Sequence, residues 1–155
     1  MIQLKKGFTL IELLVVIGIL AILLAITLIA INPARQFGQA NNTRRRSDVL
    51  QILNAIHQYV AENNGQLPPE VKALTANTAT EFNNTNFPLL CGLLMPNYIP
   101  ALPTDPSLNV ANITDCSANS GAWGDTGYQI SVDAAKRVTV IAPITDNSAV
   151  ISVTR

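Results

Sequence analysis

Glu12 is the residue in this sequence with the clearest chemical consequence. It is the only charged residue in an otherwise apolar run of 24 residues, from Phe8 to Ile31. A carboxylate placed in hydrocarbon costs a few kcal/mol even on permissive scales, so it needs a partner, and a cation is the natural one. The sequence therefore predicts that Glu12 pairs with a positive charge near the start of this run.

The junction between Gly7 and Phe8 can supply that charge. Gly7 is the small residue that a peptidase at the membrane face would need before the bond it cuts, and it follows Lys5 and Lys6. Cutting after Gly7 removes both lysines and leaves a new amine on Phe8. That amine is poorly placed for the Glu12 of its own chain, about 6 Å further along the helix axis. The amine of a neighbouring chain is better placed, so the pair would set the register of a polymer.

The other residues that could do chemistry do not form a recognisable site. His57 is the only histidine, so Cys91 and Cys116 lack the partners of a zinc site, and no motif frames a catalytic nucleophile. We therefore predict no enzyme activity, no metal and no cofactor. If the C-terminal part is exported, the two cysteines are expected to form a disulfide bond. Trp123 is expected to fill a hydrophobic gap under a loop rather than to bind a ligand.

The charge distribution gives no argument for a nucleic acid partner, because the formal net charge is +0. One basic cluster, Arg44–Arg46, is followed by Asp48. We interpret it as a solvated helix face, with lipid headgroups or a neighbouring subunit as the alternative contact. Asn-x-Thr triplets begin at Asn41, Asn83 and Asn112, which leaves glycosylation open.

The apolar run predicts a membrane-spanning helix. As a helix, 24 residues would extend about 36 Å, which is enough to cross a hydrocarbon layer of about 30 Å. The run is longer than the core of a secretory signal peptide, and it carries a carboxylate. Pro33 follows, and because proline removes one backbone hydrogen bond we predict a kink there.

Helical periodicity resumes beyond the proline. The polar stretch from Gln36 to Asp48 has no apolar stripe and should be the least well supported part of the helix. The sequence Asn63-Asn64-Gly65 then suits a helix end. One buried face is predicted for the second half of the helix, formed by Val49, Leu50, Ile52, Leu53, Ile56, Tyr59 and Val60.

The C-terminal part predicts loops followed by a small sheet. Residues 66–111 are rich in proline, and residues 107–127 are polar and small, so both are interpreted as loops. A period of two then predicts strands at residues 128–133, 137–144 and 149–155, with turns at 134–135 and 146–147. Short connections favour an antiparallel meander, whose one face can cover the helix. The predicted class is α+β, with a leader at 1–7, an apolar helix at 8–31, its amphipathic continuation at 32–63 and a head at 64–155.

Three stretches resemble the type IV pilin and pseudopilin superfamily. Residues 6–17, Lys-Gly-Phe-Thr-Leu-Ile-Glu-Leu-Leu-Val-Val-Ile, resemble its class III leader junction and helix start. Residues 59–68 resemble the family's helix exit, and residues 98–106 resemble a segment common before the sheet, particularly in major pseudopilins. The resemblance implies that a prepilin peptidase cuts between Gly7 and Phe8 and N-methylates Phe8, and that Glu12 is the assembly glutamate.

The resemblance also implies a function. The precursor would sit in the inner or cytoplasmic membrane, with its apolar helix surrounded by lipid and its head outside. After cutting it would join copies of itself or other pilins, with an inner-membrane assembly platform, in an extracellular or periplasmic filament for adhesion, twitching motility or DNA uptake. A type II secretion pseudopilin is the alternative within the family. An exported binding protein or enzyme on an uncut anchor is the alternative of another class.

The sequence departs from the family pattern in three places. Pro33 lies further along the helix than the usual proline, and Cys116 lies further from the C-terminus than the usual second cysteine. Major secretion pseudopilins often bind calcium in a C-terminal loop, but here Asp115 and Asp125 do not match a convincing pattern. Calcium binding, the ligand of the head and the particular filament system stay open.

Overall fold

The computed structural model describes residues 7–116 and 123–155. The chain divides into two compact units, one ending at Phe37 and one beginning at Gly38. The predicted leader, residues 1–7, lies outside the described residues except for Gly7.

Two long helices form the N-terminal part of the chain. Helix α1 spans Leu10–Ile31 and helix α2 spans Pro33–Glu62. Asn32 separates them in the left-handed conformation, with φ of 46°. Its backbone and side-chain oxygens both accept from the amide of Arg35, at 3.2 Å and 3.3 Å, and Pro33 takes the first position of α2, where its missing amide hydrogen costs nothing. The sequence pattern predicted a kink at Pro33, and the structure interrupts the helix at the residue before it.

Helix α2 ends where the sequence predicted. Asn64 and Gly65 adopt positive φ angles of 54° and 78°, and the amide of Gly65 donates to the carbonyl of Val60 at 2.9 Å. This is a common helix ending, because a left-handed residue turns the chain and satisfies a carbonyl that the helix leaves open.

Four antiparallel strands follow in the order β1-β2-β3-β4. They are β1 (Thr80–Asn83), β2 (Asp125–Val132), β3 (Val138–Ala142) and β4 (Ile151–Thr154). Central pairs include Ile130 with Val140 and Ala142 with Ile151. The α+β class is therefore confirmed, with three of the strands in the predicted meander.

The boundaries of these elements differ from the predicted ones. β2 begins three residues before the predicted Tyr128, whereas β3 and β4 are shorter than predicted, so a link of eight residues, 143–150, replaces a tight turn. The stretch interpreted as loop also holds structure: α3 (Pro69–Lys72), β1, α4 (Leu90–Leu94) and a short 3-10 helix at Pro106–Leu108. β1 has a single buried apolar residue, Phe82, so its sequence carries no alternating signal, and only pairing with β2 makes it a strand.

The core lies between α2 and one face of the sheet. The sheet alternates, with Tyr128, Ile130 and Val132 of β2 buried and their neighbours partly exposed. Trp123 is 6% exposed and packs edge-on against Phe82 at 5.4 Å, as a hydrophobic plug would. From α2 the core takes Val49, Ile52, Leu53 and Ile56, all with 0% exposure, whereas Leu50 of the predicted stripe is 42% exposed.

Candidate functional site

The Gly7–Phe8 bond lies outside helix α1, which begins at Leu10. Both residues are exposed, and a Cβ built on Gly7 would meet nothing within 4 Å. The fold itself therefore places no demand for glycine at this position. A requirement for a small residue here would have to come from an enzyme that binds this segment.

Thr9 and Glu12 form a capping box at the start of α1. The Thr9 hydroxyl accepts from the Glu12 amide at 3.3 Å, while the Glu12 carboxylate accepts from the Thr9 amide at 2.8 Å and from its hydroxyl at 2.7 Å. Glu12 was interpreted from the sequence as a carboxylate in need of a cation, and the structure adds these two local donors. The signal was present in the spacing Thr-x-x-Glu immediately before an apolar run.

The rest of α1 is apolar on every side and makes no core. Where the structure describes its side chains, the large hydrophobic ones are between 51% and 84% exposed. The segment Leu10–Ala30 is long and apolar enough to cross a membrane, by length and composition. A helix that is hydrophobic all round needs lipid or other protein around it. Helix α1 thus presents a surface that only a membrane or neighbouring helices can cover.

Only part of the arginine cluster forms the solvated face that we predicted: Arg44 and Arg46 are exposed, whereas Arg45 is buried. Arg45 is 0% exposed, and its guanidinium makes a two-bond contact with Asp105 through Nε at 2.7 Å and Nη2 at 3.1 Å. It also donates to Asp146 at 2.7 Å, to Asn42 at 3.0 Å and to Ser107 at 2.6 Å. All five N–H donors of the guanidinium are therefore used. We call these five residues the Arg45 cluster.

The Arg45 cluster ties the polar half of α2 to two loops of the head. Asn42 adds a reciprocal pair with the backbone of Asp146, donating at 2.7 Å and accepting at 3.0 Å. The hydrogen bonds that Arg45 donates to Asp105 raise the pKa of Arg45 despite its burial. Burial opposes ionisation of Asp105, but the bonds from Arg45 and Ser107 outweigh it and lower the pKa of that carboxyl. The stretch predicted to be least supported is thus held by charged hydrogen bonds instead of an apolar stripe.

Gly38 allows the close approach of α2 to the loop that carries Asp146. A Cβ at this position would lie 2.8 Å from the Asp146 Cβ and 2.9 Å from Nδ2 of Asn147. Glycine inside a helix is ordinarily a weak point, because it favours helical structure less than alanine does. Its absent side chain is instead what admits the loop, a reason that a contact 108 residues away in sequence cannot reveal beforehand.

Two further contacts stabilise the head. Cys91 in α4 and Cys116 form a disulfide bond across 25 residues. Tyr128 of β2 donates to the carboxylate of Asp48 in α2 at 2.8 Å, in a buried position. Burial raises the pKa of Asp48, and Tyr128 partly offsets this by donating to the charged form. The helix and the sheet are thereby joined by a polar contact as well as by the core.

No catalytic arrangement emerges within residues 7–116 and 123–155. These residues hold no group of three or more His, Cys, Asp or Glu that could bind a metal ion. His57 has no acid or base within hydrogen-bonding distance among them, and its Nε2 is buried without a partner.

Comparison with known proteins bears on the N-terminal segment. Residues 3–28 match the model of the prokaryotic N-terminal methylation motif. No curated protein and no solved structure matches the chain. The matched segment covers the Gly7–Phe8 junction, the capping box and most of α1, and this motif includes the class III prepilin leader junction of type IV pilins. The chain thus carries an N-terminal methylation motif of the kind found in type IV pilins and pseudopilins.

Proposed function

We propose that this protein is a structural subunit of a type IV pilus-like filament, serving adhesion, twitching motility or DNA uptake. The observation that carries the proposal is the methylation motif at residues 3–28, continuous with an exposed apolar helix. A prepilin peptidase cuts between Gly7 and Phe8 and methylates the new Phe8 amine. The helix then leaves the lipid and packs among those of other subunits, on an inner-membrane assembly platform.

The geometry of the N-terminal segment supports this order of events. The Gly7–Phe8 bond precedes the helix, so a peptidase can bind it without unwinding α1. The cut leaves Phe8 as the first residue, one before the Thr9 cap. Glu12 then stands at the start of the apolar surface, where it is the only acid and can accept from the amine of a neighbouring chain.

The head is proposed to lie outside the membrane. Its disulfide between Cys91 and Cys116 suits an oxidising compartment, as disulfides are rare in the cytosol. The precursor is thus a single-pass protein of the inner or cytoplasmic membrane, and the assembled form is an extracellular or periplasmic filament. No nucleic acid is proposed as a specific partner of the head.

A type II secretion pseudopilin is the second candidate. It is favoured by the segment at residues 98–106, which resembles one found before the sheet in major pseudopilins. Asp105 of this segment holds the Arg45 side chain. Shearing cells and measuring whether the chain makes up a long surface fibre separates a pilus from a short periplasmic filament.

Intact-mass spectrometry of the exported chain tests the processing step. The expected mass is that of Phe8–Arg155 plus one methyl group. Gly7→Leu should leave the precursor uncut, because the peptidase needs a small residue there. Gly18→Leu is the matched control: Gly18 also has open space around it, and its replacement should leave the cut unchanged. An exported chain that retains residues 1–7 overturns the proposal and favours a protein on an uncut anchor.

A further inference from the structure

A cavity of about 170 Å³ opens on the head beside the C-terminal end of α2. Its wall includes His57 of α2, Gln66 just after the helix, Lys72 at the end of α3 and Lys136 in the turn between β2 and β3. Three separate elements thus bring these four polar side chains together. The remaining lining is aliphatic or glycine, so we call this the basic cavity.

The charges of the basic cavity are of one sign. It contains two of the four lysines of the chain and no aspartate or glutamate. In the part of the chain that the structure describes, neither lysine ammonium forms a salt bridge. Lysine, with its three donors and no acceptor, and the Gln66 amide both suit an anionic oxygen. The cavity is therefore a place where an anion would be stabilised and a cation repelled.

His57 adds a second, independent observation. Its Nε2 is buried and has no hydrogen-bond partner in the described residues, and such orphaned nitrogens are uncommon in folded proteins. Burial, and then the nearby Arg155, lower the pKa of the imidazole, so that the neutral form with one N–H dominates. His57 thus places a neutral imidazole in the wall of the cavity, beside the two lysines.

The position of Lys136 is costly for a lysine. Its φ is 62°, in the left-handed region that glycine and asparagine adopt far more easily. The turn is held in this form by Asp133, which accepts from the amides of Ala135 at 2.9 Å and Arg137 at 2.8 Å. A long cationic side chain therefore lies at the cavity, in a turn position whose backbone conformation glycine or asparagine would adopt more easily.

We propose that the basic cavity binds a phosphate group, either as the free ion or as a small phosphate ester. Two ammonium groups match the charge of a phosphate dianion, and lysine is a common phosphate ligand in proteins. The cavity volume leaves room for a short substituent on the phosphate. The site lies in the head, so it adds a ligand that filament assembly through α1 does not require.

Nuclear magnetic resonance of the full-length chain in detergent micelles tests the site. His57 is the only histidine, so its ring C–H signals report on the cavity without ambiguity. Inorganic phosphate and glycerol 3-phosphate are titrated separately against chloride at equal ionic strength and constant neutral pH. We expect a saturable shift of the His57 signals with a phosphate probe. The probe that binds with the higher affinity shows whether the site prefers the free ion or a phosphate ester.

Three variants make the test specific. Lys136→Asn should weaken phosphate binding about tenfold or more, and it should not harm folding, because asparagine tolerates the left-handed turn. Lys72→Gln should weaken binding similarly. Arg46→Gln removes one exposed charge about 16 Å away along α2, beyond the usual screening length, and should leave the affinity unchanged. Equal shifts with chloride and phosphate, or unchanged phosphate affinity in Lys136→Asn, would overturn the proposal.

Discussion

Helix α1 and the second unit of the chain differ in how much apolar surface they expose and in how their charged side chains are paired. Along α1 the large apolar side chains are more than half exposed, and the one acid, Glu12, is satisfied by the adjacent Thr9. In the second unit, Gly38–Arg155, most of the large apolar side chains that the structure describes are covered, and a charged residue, Arg45, is fully buried with five acceptor atoms. The second unit therefore buries most of its apolar surface within one chain, whereas the apolar surface of α1 needs a membrane or other protein to cover it.

For the proposed filament subunit, this difference indicates which of the two charges is available for assembly. A satisfied charge deep in a core can be replaced only at a cost to folding, because its partners are already committed. A charge held by one neighbouring residue at the start of an exposed helix can change partner without unfolding anything. Glu12 is therefore suited to an assembly step, and Arg45 is suited to a fixed structural one.

The largest effect is expected for Glu12→Ala. If Glu12 pairs with the Phe8 amine of a neighbour, the variant should be cut and inserted normally but deplete sheared fibres about a hundredfold relative to the membrane pool. Glu12→Gln should be intermediate or nearly as severe. Immunoblots of fibre and membrane fractions measure both. Normal fibre yield from Glu12→Ala would contradict a role of Glu12 in assembly, since the acid would then be merely tolerated.

Arg45→Ala should destabilise the head by about 3–5 kcal/mol, because it leaves Asp105 buried and uncompensated. Arg46→Ala is the matched control: that side chain is exposed, and its loss should change the free energy of unfolding by less than about 0.5 kcal/mol. Urea unfolding of the full chain, followed by fluorescence of the single tryptophan, measures both variants. Similar values for the two arginines would restore the solvated-face interpretation.

Reduction of the disulfide should lower the stability of the head by about 3 kcal/mol, on the chain-entropy model for a loop of 25 residues. The same unfolding experiment with and without reductant measures it, with a Cys91→Ser, Cys116→Ser double variant as the second readout. Reductant should leave the double variant unaffected. An unchanged midpoint for reduced wild-type protein would show that the link adds nothing to the folded head.

The smallest effect is expected for Gly38→Ala. Alanine favours a helix by about 1 kcal/mol over glycine, but here its Cβ would overlap Asp146 and Asn147, so we expect a net loss of about 1–2 kcal/mol. Gly92→Ala in α4 is the control, because nothing lies within 4 Å of its added Cβ. That variant should be neutral or slightly more stable. A gain of stability in both variants would mean that the loop does not need the close approach.

Most of the fold was readable from local patterns. The 24-residue apolar run, the helical stripe at residues 49–60 and the final period of two predicted α1, α2 and three strands. Strand β1 was not predicted, because its four residues include only one buried apolar side chain and so carry no periodic signal. The helix is interrupted at Asn32, one residue before the predicted kink. Pro33 fits the first position of α2, so the non-helical conformation falls on the residue before the proline.

The features of the N-terminal segment could be predicted from the sequence alone, because they depend only on residues close together in the chain. The Gly7–Phe8 junction, the Thr9–Glu12 spacing and the unbroken apolar surface lie within one short stretch and need no distant contact to be recognised. Only the tertiary structure decided the roles of Arg45 and Gly38, because their partners Asp105 and Asp146 lie 60 and more residues away. An arginine triplet has the same sequence pattern whether all of it faces water or one member is buried against the carboxylates of Asp105 and Asp146. Which of these it faces is set by how the loops fold back onto α2, and no local period of the sequence encodes that.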